Sequence, residues 1–385
     1  MTLIPQIQSK LPNTGTTIFT QMSALAKQFN AINLSQGFPD FECSDELKDA
    51  IYEAVKNGYN QYAPMPGIQP LREIISEKIF NIYKRKYNPD TEITIVPGGT
   101  IGIFTAINTV VNKGDEVIII EPAYDSYLPA VQMCGGKPVF SSLSYPDFKI
   151  NWDEIKTLIN PRTKLLIINS PQNPGTSVIS KEDLEMLDKI TAGTGIFIIS
   201  DEVYEHIIFD NVTHQSLILN DNLASRSFIV SSLGKTYHVT GWKTGYVIAP
   251  EPMSQEFRKI YQYNAFCSFA PAQWAFYKML SIPRTYKGVS KFYEEKRNFM
   301  EKLLKNSKFK VLHSAGSYFQ LLDFSEISTI SDFDFAVWLT KEHKVATIPL
   351  SSFYHNKKDD KLIRICFAKR NETLEKAAEI LNSIK

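Results

Sequence analysis

Two lysines in one short stretch are well placed to do chemistry. Residues 228–245 read F-I-V-S-S-L-G-K-T-Y-H-V-T-G-W-K-T-G, in which an apolar run typical of a buried strand gives way to small polar residues around Lys235. A second lysine, Lys243, follows eight residues later. A lysine just beyond a buried strand suits two tasks, holding a phosphate group or forming a Schiff base with a carbonyl. A lone lysine is more often solvated, so the rest of the chain must decide between these readings.

Two common nucleotide-binding motifs are absent from the sequence. Gly234-Lys235-Thr236 matches the end of a G-x-x-x-x-G-K-[ST] phosphate loop, but the position that needs the first glycine holds Ile229. Without that glycine the backbone cannot wrap the phosphates of a nucleotide. No G-x-G-x-x-G motif follows any predicted strand either, which argues against a nicotinamide-dependent oxidoreductase.

Composition excludes several classes of protein. The 385 residues, 43% hydrophobic and 22% charged, suffice for one large domain and a smaller one. A formal net charge of +1 argues against a nucleic-acid-binding surface. The four cysteines form no C-x-x-C pair and the six histidines no H-x-x-x-H pair, so no metal site is predicted. No signal peptide is recognised, and no apolar run approaches the roughly 20 residues that span a membrane, so we predict a cytoplasmic protein.

Short apolar runs predict the central sheet. They occupy residues 93–96, 116–120, 164–168, 196–200, 228–230 and 246–249 and alternate with helical stretches. Runs without alternation of polar and apolar residues are typical of strands covered on both faces, as in a mainly parallel sheet. The sequence therefore predicts a doubly wound α/β domain.

The remaining elements predict a second, smaller α+β domain. Helices are predicted over 19–29, 45–57, 71–87, 255–280, 286–305, 332–343 and 374–384, and further strands over 309–313, 317–323, 345–349 and 362–367. Ser44 is the expected N-cap of the helix that begins at residue 45. We predict a large domain over residues 46–280 and a small domain formed by residues 1–45 and 281–385.

Polar and aromatic residues follow five of the apolar runs. They are Gly98-Gly99-Thr100, Tyr124, Asn173-Pro174-Gly175, Asp201 with Tyr204, and Lys235. Each group alone is compatible with ordinary turn chemistry. Ligands of open α/β sheets bind at the carboxyl ends of the strands, so all these groups at one edge predict a binding site there.

The order of several motifs makes a resemblance specific. S-S-L-G-K-T-Y, G-W-K-x-G-Y, N-P, D-E-V-Y and I-R-I-C-F all occur, and over essentially its whole length the chain resembles the class I/II aminotransferases. These enzymes have the fold type I architecture of transferases that use pyridoxal 5′-phosphate (PLP). The runs L-S-Q-G-F-P-D-F, N-Q-Y-A-P-M-P-G and D-E-V-Y-E-H are similar to the branch that contains kynurenine, glutamine and methionine aminotransferases.

The resemblance implies roles for four residues around the PLP ring. Lys235 would hold the cofactor as a Schiff base and then carry the proton between the substrate Cα and the cofactor. Asp201 would keep the pyridine nitrogen protonated by a charge-assisted hydrogen bond. Its alternative role is that of a helix N-cap. Tyr204 and Asn173 resemble the two donors to the phenolic oxygen of the ring.

The phosphate of PLP would be held at a helix start. Gly99 and Thr100 open a predicted helix, where free N–H groups and the helix dipole favour an anion. Ser232 and Lys243 match the hydroxyl and the cation of the family. Arginine is common at the second of these positions, so Lys243 keeps the charge but loses the bidentate fork.

Two tyrosines complete the implied cofactor site. Tyr124 resembles the aromatic residue that stacks on the ring, although a core position suits it equally well on sequence alone. Tyr62 resembles a residue that the family sends into the phosphate site of the neighbouring subunit. A homodimer with shared sites is therefore expected.

Substrate recognition would rest on Arg364 in I-R-I-C-F, whose planar fork suits a carboxylate. Asn173 and the backbone of Gly37 would complete that grip. The side-chain pocket would be apolar and aromatic, which suits thioether and aromatic substrates. Its implied lining residues are Phe38, Tyr62, Tyr318 and, more weakly, Ile18.

The resulting interpretation is a ping-pong aminotransferase that moves the amino group of a methionine-like, aromatic or glutamine-like amino acid to a 2-oxo acid. A cysteine-S-conjugate β-lyase would use the same lysine, aspartate and arginine, so the motifs separate the two activities poorly. A PLP-binding regulatory protein would need an added basic DNA-binding segment, which this chain lacks.

Overall fold

The computed structural model describes residues 7–385; the first six residues of the predicted N-terminal arm lie outside the described residues. The helices are α1 Ile18–Gln28, α2 Asp45–Lys56, α3 Gln69–Tyr83, α4 Gly99–Val110, α5 Tyr127–Met133, α6 Trp152–Leu158, α7 Lys181–Thr191, α8 Asp221–Ala224, α9 Leu233–Thr236, α10 Glu251–Asn264, α11 Ala270–Leu280, α12 Arg284–Lys287, α13 Val289–Leu304, α14 Asp332–Glu342 and α15 Asn371–Ser383. The strands are β1 Ile32–Asn33, β2 Ile93–Val96, β3 Glu116–Glu121, β4 Lys137–Ser142, β5 Thr163–Asn169, β6 Phe197–Asp201, β7 Ser227–Ser232, β8 Gly245–Ile248, β9 Lys310–Val311, β10 Phe319–Asp323, β11 Val345–Ala346, β12 Ile348–Pro349 and β13 Leu362–Cys366.

The predicted mainly parallel sheet is confirmed over the described residues. Seven strands lie side by side in the order β2-β8-β7-β6-β5-β3-β4. The neighbours from β7 through β6, β5 and β3 to β4 are parallel, and β8 runs antiparallel to both β7 and β2. Because β8 is reversed, its first residue, Gly245, lies beside Ser232 at the end of β7. The segment that carries Lys243 is thereby brought to the edge where the parallel strands end.

Both faces of this sheet are covered, which explains the apolar runs. Successive residues of a strand point to opposite faces. In β6, Ile198 packs into one hydrophobic core and Ile199 into the other, and in β7, Ile229 and Val230 divide in the same way. The strand interiors are therefore apolar at most positions, with a few buried hydroxyl residues such as Ser231.

The C-terminal part of the chain forms a second sheet. Strands β12, β13, β10 and β9 are antiparallel neighbours in that order, and β1 pairs in parallel with β11 near the N-terminal arm. Arg364 lies in the middle of β13, and β13 lies between β12 and β10 in this sheet. The domain limits at residues 45 and 280 stay a prediction.

One predicted helix was wrong in its bounds, one strand was not predicted, and one capping prediction is confirmed. The helix predicted over 255–280 is two helices, because the chain breaks at residues 265–269, where Phe266 has a φ of 66°. Strand β4 was not predicted, since it is an edge strand whose residues are mostly half-buried or exposed and partly polar. Ser44 caps α2 by accepting from the Leu47 N–H at 3.3 Å.

No helix within residues 7–385 is both long and apolar enough to cross a membrane. In the same range, no three or more histidine, cysteine and acidic side chains come together as metal ligands would.

Candidate active site

A cavity of about 350 Å³ lies at the carboxyl ends of the parallel strands. The segments that follow β2, β3, β5, β6 and β7 all contribute to its wall, as the strand-end pattern predicts. The predicted residues that line it are Gly37, Gly99, Thr100, Tyr124, Asn173, Asp201, Tyr204, Ser232, Lys235, Lys243 and Arg364. The structure therefore brings eleven of the fifteen predicted site residues to the lining of one cavity, and the exceptions are Ile18, Phe38, Tyr62 and Tyr318.

Lys235 projects into this cavity from the one-turn helix α9. Its Nζ donates to the hydroxyl of Tyr318 at 2.8 Å and to the carbonyl oxygen of Gly37 at 3.5 Å. Burial of the amine lowers the pKa of Lys235 to about 8, and the positive charges of Lys243 and Arg364 act in the same direction. With this pKa roughly a tenth of the amine is neutral at pH 7 and about half at pH 8, and the neutral form is the one that acts as nucleophile or proton acceptor.

Asp201 ends β6 and is 3% exposed. The Tyr127 hydroxyl donates to one of its carboxylate oxygens at 2.5 Å, and the Val203 N–H donates to the other at 3.3 Å. Burial raises the pKa of Asp201 to about 6, although these two hydrogen bonds oppose the shift. These hydrogen bonds hold the carboxylate in place. Because burial disfavours its ionised form, a positively charged ligand group beside it would stabilise the negative charge.

Tyr204 lies close to the reactive amine. The Nζ of Lys235 is 5.5 Å from the centre of the Tyr204 ring and 5.4 Å from that of Tyr318. Burial raises the pKa of Tyr204 well above its ordinary value, so its hydroxyl stays protonated and serves as a donor.

One end of the cavity has the features of an anion site. Helix α4 starts at Gly98 with no side-chain cap, which leaves its first N–H groups available. Gly98 has a φ of 82°, and a Cβ there would lie 3.2 Å from the Nζ of Lys243. The amine of Lys243 therefore lies against this helix start, and the Ser232 hydroxyl lines the same cavity.

Arg364 lines the same cavity and is 1% exposed. Its Nη1 donates to Asn173 Oδ1 at 2.5 Å and its Nη2 to the Ser35 carbonyl at 3.1 Å. Its Cζ is 3.8 Å from the centre of the Phe319 ring. The Nε of Arg364 is buried and has no hydrogen-bond partner within residues 7–385. A buried guanidinium with an unused donor fits a carboxylate ligand.

Asn173 connects Arg364 with Asp201 through hydrogen bonds. Its backbone N–H donates to Asn169 Oδ1 at 2.8 Å, and Asn169 Nδ2 donates to the Asp201 carbonyl at 2.8 Å. Because the Asn173 side-chain oxygen accepts from Arg364, its amide nitrogen is left to donate elsewhere in the cavity.

Phe38, Ile18 and Tyr62 lie outside this cavity. The Phe38 side chain is 46% exposed and lies near the Lys369 amine instead. Ile18 lines a neighbouring cavity that shares Tyr124 with this one. Tyr62 is 84% exposed and packs edge-on against Phe266 at 5.5 Å.

The residues fit PLP as a group. The start of α4, with Lys243 and a hydroxyl beside it, suits the phosphate. The buried carboxylate of Asp201 suits the pyridine nitrogen, and the Lys235 amine, with its lowered pKa, suits the carbonyl carbon. A Cβ at Gly99 would approach Val203 Cγ1 to 2.8 Å, so the helix start tolerates no larger residue without a shift. The cavity also has the size of a small cofactor-binding pocket.

The sheet and the cavity together define a PLP-dependent transferase of fold type I. The model of the family described as aminotransferase class I and II matches residues 30–381, and the chain belongs to that family.

Relatives support this assignment over the full length. The methionine aminotransferase of Escherichia coli strain K12 is 47% identical over 383 residues, with 99% of each chain covered. The kynurenine–oxoglutarate transaminase of Dictyostelium discoideum is 33% identical, covering 96% of this chain and 94% of its own. A crystal structure of an Escherichia coli protein for which a methionine aminotransferase function was identified superposes with a TM-score of 0.95 at 47% identity, covering 99% of each chain. The chain is therefore a PLP-dependent aminotransferase, and the relatives do not favour the β-lyase alternative.

Sequence reasoning missed Tyr127 and Asn169, both next to Asp201. The signal for Tyr127 was its position in E-P-A-Y-D-S-Y, three residues after Tyr124 at the end of a predicted strand. Asn169 also ends a strand, and its side chain reaches the neighbouring strand end. Tyr318 was predicted to line the substrate side-chain pocket, which stays a prediction, and its hydroxyl accepts a hydrogen bond from the Lys235 amine.

Proposed function

We propose that this enzyme transfers the amino group of methionine, or of an amino acid with a similar thioether or aromatic side chain, to a 2-oxo acid. The observation that carries the proposal is the surroundings of Arg364. Its guanidinium packs on Phe319 and lies near Phe19 and Phe353, at 5.4 and 5.0 Å from their ring centres. Beside the carboxylate-binding donor there is thus an aromatic wall, which favours apolar side chains and sulfur.

The charges of the cavity support the same substrate class. Among the described residues that line it, the cations are Lys235, Lys243 and Arg364. We assign these to proton transfer, the cofactor phosphate and the α-carboxylate, so none remains for the second carboxylate of aspartate or glutamate. The relative named methionine aminotransferase, at 47% identity, agrees with this choice.

The chain's own residues would divide the chemistry as follows. Bound PLP supplies a cationic ring that accepts the electron pair left when the substrate Cα loses its proton. Arg364 orients the substrate carboxylate, which fixes the Cα proton near the Lys235 amine. That amine would take the proton from the substrate Cα and deliver it to the carbon of the cofactor that carries the aldehyde group. Asp201 would hold the proton on the ring nitrogen, and Tyr204 and Asn173 would donate to the phenolic oxygen of the ring.

The proposed donor is tested by a single-turnover measurement without acceptor. Loaded enzyme mixed with methionine is expected to release the corresponding 2-oxo acid in an amount equal to the active sites, and turnover should continue only after a 2-oxo acid is added. Equal or faster release from aspartate or glutamate would contradict the substrate assignment. Continuous 2-oxo acid formation from a cysteine conjugate without acceptor would instead indicate β-lyase activity.

Asp201→Asn is expected to abolish most activity while stabilising the cofactor-free protein at pH 8. Burial raises the folded-state pKa of Asp201 from 3.8 to about 6, so the ionised carboxylate opposes folding above pH 6. Two pKa units correspond to roughly 3 kcal/mol, an upper bound because Asn alters the hydrogen bonds with Tyr127 and Val203. The gain in free energy of unfolding should shrink as the pH falls through 6 and vanish near 4.

This prediction is measured by thermal unfolding of cofactor-free protein between pH 4 and pH 8, alongside turnover of the loaded enzyme. The exposed substitution Asp153→Asn serves as control. Turnover should fall roughly 10²–10³-fold, as when a preorganised charge is removed. A variant that is less stable than wild type at pH 8 would contradict the stated effect of burial.

We also propose a homodimer in which Tyr62 reaches the phosphate site of the partner subunit. Tyr62 is exposed, does not line its own cavity and packs against Phe266. Tyr263, Phe266 and Phe269, which are close in sequence, are 87%, 44% and 54% exposed. Such a group of aromatic residues is typical of an interface. Coexpressed Tyr62→Ala and Lys235→Ala chains should form hybrids with one complete site, so activity above that of both single variants is expected. No gain in hybrids of verified composition would contradict the shared site.

A further inference from the structure

A buried ion pair lies on the face of the central sheet opposite to the cavity. Lys78 of α3 and Glu205, which follows β6, are 3% and 8% exposed. In β7, Ser232 faces the cavity, so the preceding Ser231 points to the other face, where it is paired across the ladder with Tyr246 of β8. The ion pair and these two hydroxyl groups form one cluster, which we call the rear cluster.

The carboxylate of Glu205 is the centre of the rear cluster. Its Oε1 accepts from the Lys78 amine at 2.8 Å, from the Tyr246 hydroxyl at 2.8 Å and from the Ser231 hydroxyl. The Lys78 amine is also 2.9 Å from the Tyr246 hydroxyl. One oxygen atom thus joins a helix, two adjacent strands and the loop after a third strand.

The rear cluster is electrically balanced. Burial alone would raise the pKa of Glu205, but the charge and hydrogen bond of Lys78, with the hydrogen bond from Ser231, hold that pKa far below its usual range. His206 Nε2 lies 3.8 Å from Glu205 Oε1. Burial and the nearby Lys78 charge lower the pKa of His206 to about 3, so this ring is neutral. The cluster therefore contains one ammonium and one carboxylate.

Two members of the cluster directly adjoin cavity residues in sequence, and a third adjoins a glycine packed against the start of α4. Glu205 follows Tyr204, and Ser231 precedes Ser232. Tyr246 follows Gly245, where a Cβ would come within 2.4 Å of the Ser231 carbonyl oxygen and 3.3 Å of the Gly99 nitrogen. Movement of any of the three would displace the backbone that forms the anion-binding end of the cavity.

We propose that the Lys78–Glu205 ion pair positions the phosphate-binding end of the active site by fixing the ends of β7 and β8 and the loop after β6 from behind. This proposal rests on the proposed function, since it assumes that Ser232 and the start of α4 hold a phosphate. Lys78 and Glu205 contact neither substrate nor cofactor and are positioning residues. Their effect should appear in phosphate affinity rather than only in stability.

The test compares the affinities of the cofactor-free, full-length protein for PLP and for pyridoxal, which lacks the phosphate. We expect Glu205→Gln to weaken PLP binding at least tenfold while changing pyridoxal binding less than threefold. A general loss of structure would weaken both ligands by the same factor, and that result would overturn the proposal. Binding is measured by titration calorimetry, with inorganic phosphate as a third probe.

Folding failure is controlled by a second variant. Glu205→Gln leaves the Lys78 charge buried without its partner, whereas Lys78→Met with Glu205→Gln removes both charges, a change that is often neutral for stability. The double variant should fold and still lose its preference for PLP over pyridoxal. A folded double variant with the wild-type preference would overturn the proposal.

A second ion pair, away from the cavity, serves as control. Arg297 is 4% exposed and donates to both carboxylate oxygens of Asp210, each at 2.6 Å; the Asp210 side chain is 41% exposed, and neither residue lines the cavity. Asp210→Asn should lower the Tm and leave the ratio of PLP to pyridoxal affinity unchanged. If wild-type protein binds PLP and pyridoxal equally well, the phosphate assignment itself is wrong, and this outcome is distinct from a failure of the rear cluster alone.

Discussion

Lys235→Ala is expected to lower the turnover number for transamination by roughly 10⁴-fold or more, because it removes the group that both holds the cofactor and transfers the proton. The structure supports the role through position and charge. The Lys235 amine projects into the cavity between Tyr318 and the Gly37 carbonyl oxygen. Burial lowers its pKa to about 8, close to the pH at which a proton donor and acceptor works best.

The control for this variant is Lys181→Ala, which removes an exposed lysine paired with Glu185 on α7. Turnover of that control should match wild type. A small amine such as methylamine, added at high concentration, should restore part of the activity of Lys235→Ala, since an external base can replace the missing proton acceptor. A merely misfolded variant would not respond. Turnover of Lys235→Ala close to the wild-type value would contradict the assignment.

The sequence predicted the large sheet well because its signal is local. Strands covered on both faces are apolar at most positions, and the runs at 93–96 and 228–230 fall inside the observed β2 and β7. The residues directly after such strands share one sheet edge in any parallel arrangement. For that reason Asp201, Asn173 and Lys235 could be placed together without coordinates.

Features that depend on contacts between distant segments escaped prediction. The rear cluster joins Lys78 to Glu205 across 127 positions of sequence, and a lysine within an amphipathic helix gives no sign that it is buried. The break between α10 and α11 was missed although Pro271, which is disfavoured in a helix interior, lies in the first turn of α11; the apolar composition of residues 265–269 resembles that of both helices. The reversal of β8 likewise has no local signature, although it brings Lys243 to the cavity.

The roles carried by resemblance differ in how far the geometry supports them. For Arg364 the support is independent of any relative, since an arginine that is 1% exposed retains an Nε without a partner in the described chain. For Phe38 the geometry gives little support, because its side chain lies outside the cavity. The cytoplasmic location stays a prediction.

Arg364→Ala is expected to lower kcat/KM for methionine and for its 2-oxo acid by roughly 10²–10³-fold each, since loss of one partner from a buried charge pair costs about 2–5 kcal/mol. Both substrates carry the carboxylate that the guanidinium binds. Arg364→Lys should recover only part of the loss, because an ammonium keeps the charge but not the planar fork. Burial lowers the pKa of Arg364 to about 10, so the group remains charged throughout the neutral range.

The decisive measurement uses methioninamide, which has the same side chain and α-amine but no carboxylate. Wild type should strongly prefer methionine, and this preference should nearly disappear in Arg364→Ala, because methioninamide never used the guanidinium. A variant that had simply lost its active-site structure would react poorly with both compounds and keep their ratio. If Arg364→Ala retains the wild-type preference, the carboxylate is bound elsewhere. The buried Lys369, whose amine already donates to the Phe38 carbonyl at 2.7 Å, is not equivalent, since that bond holds it outside the cavity.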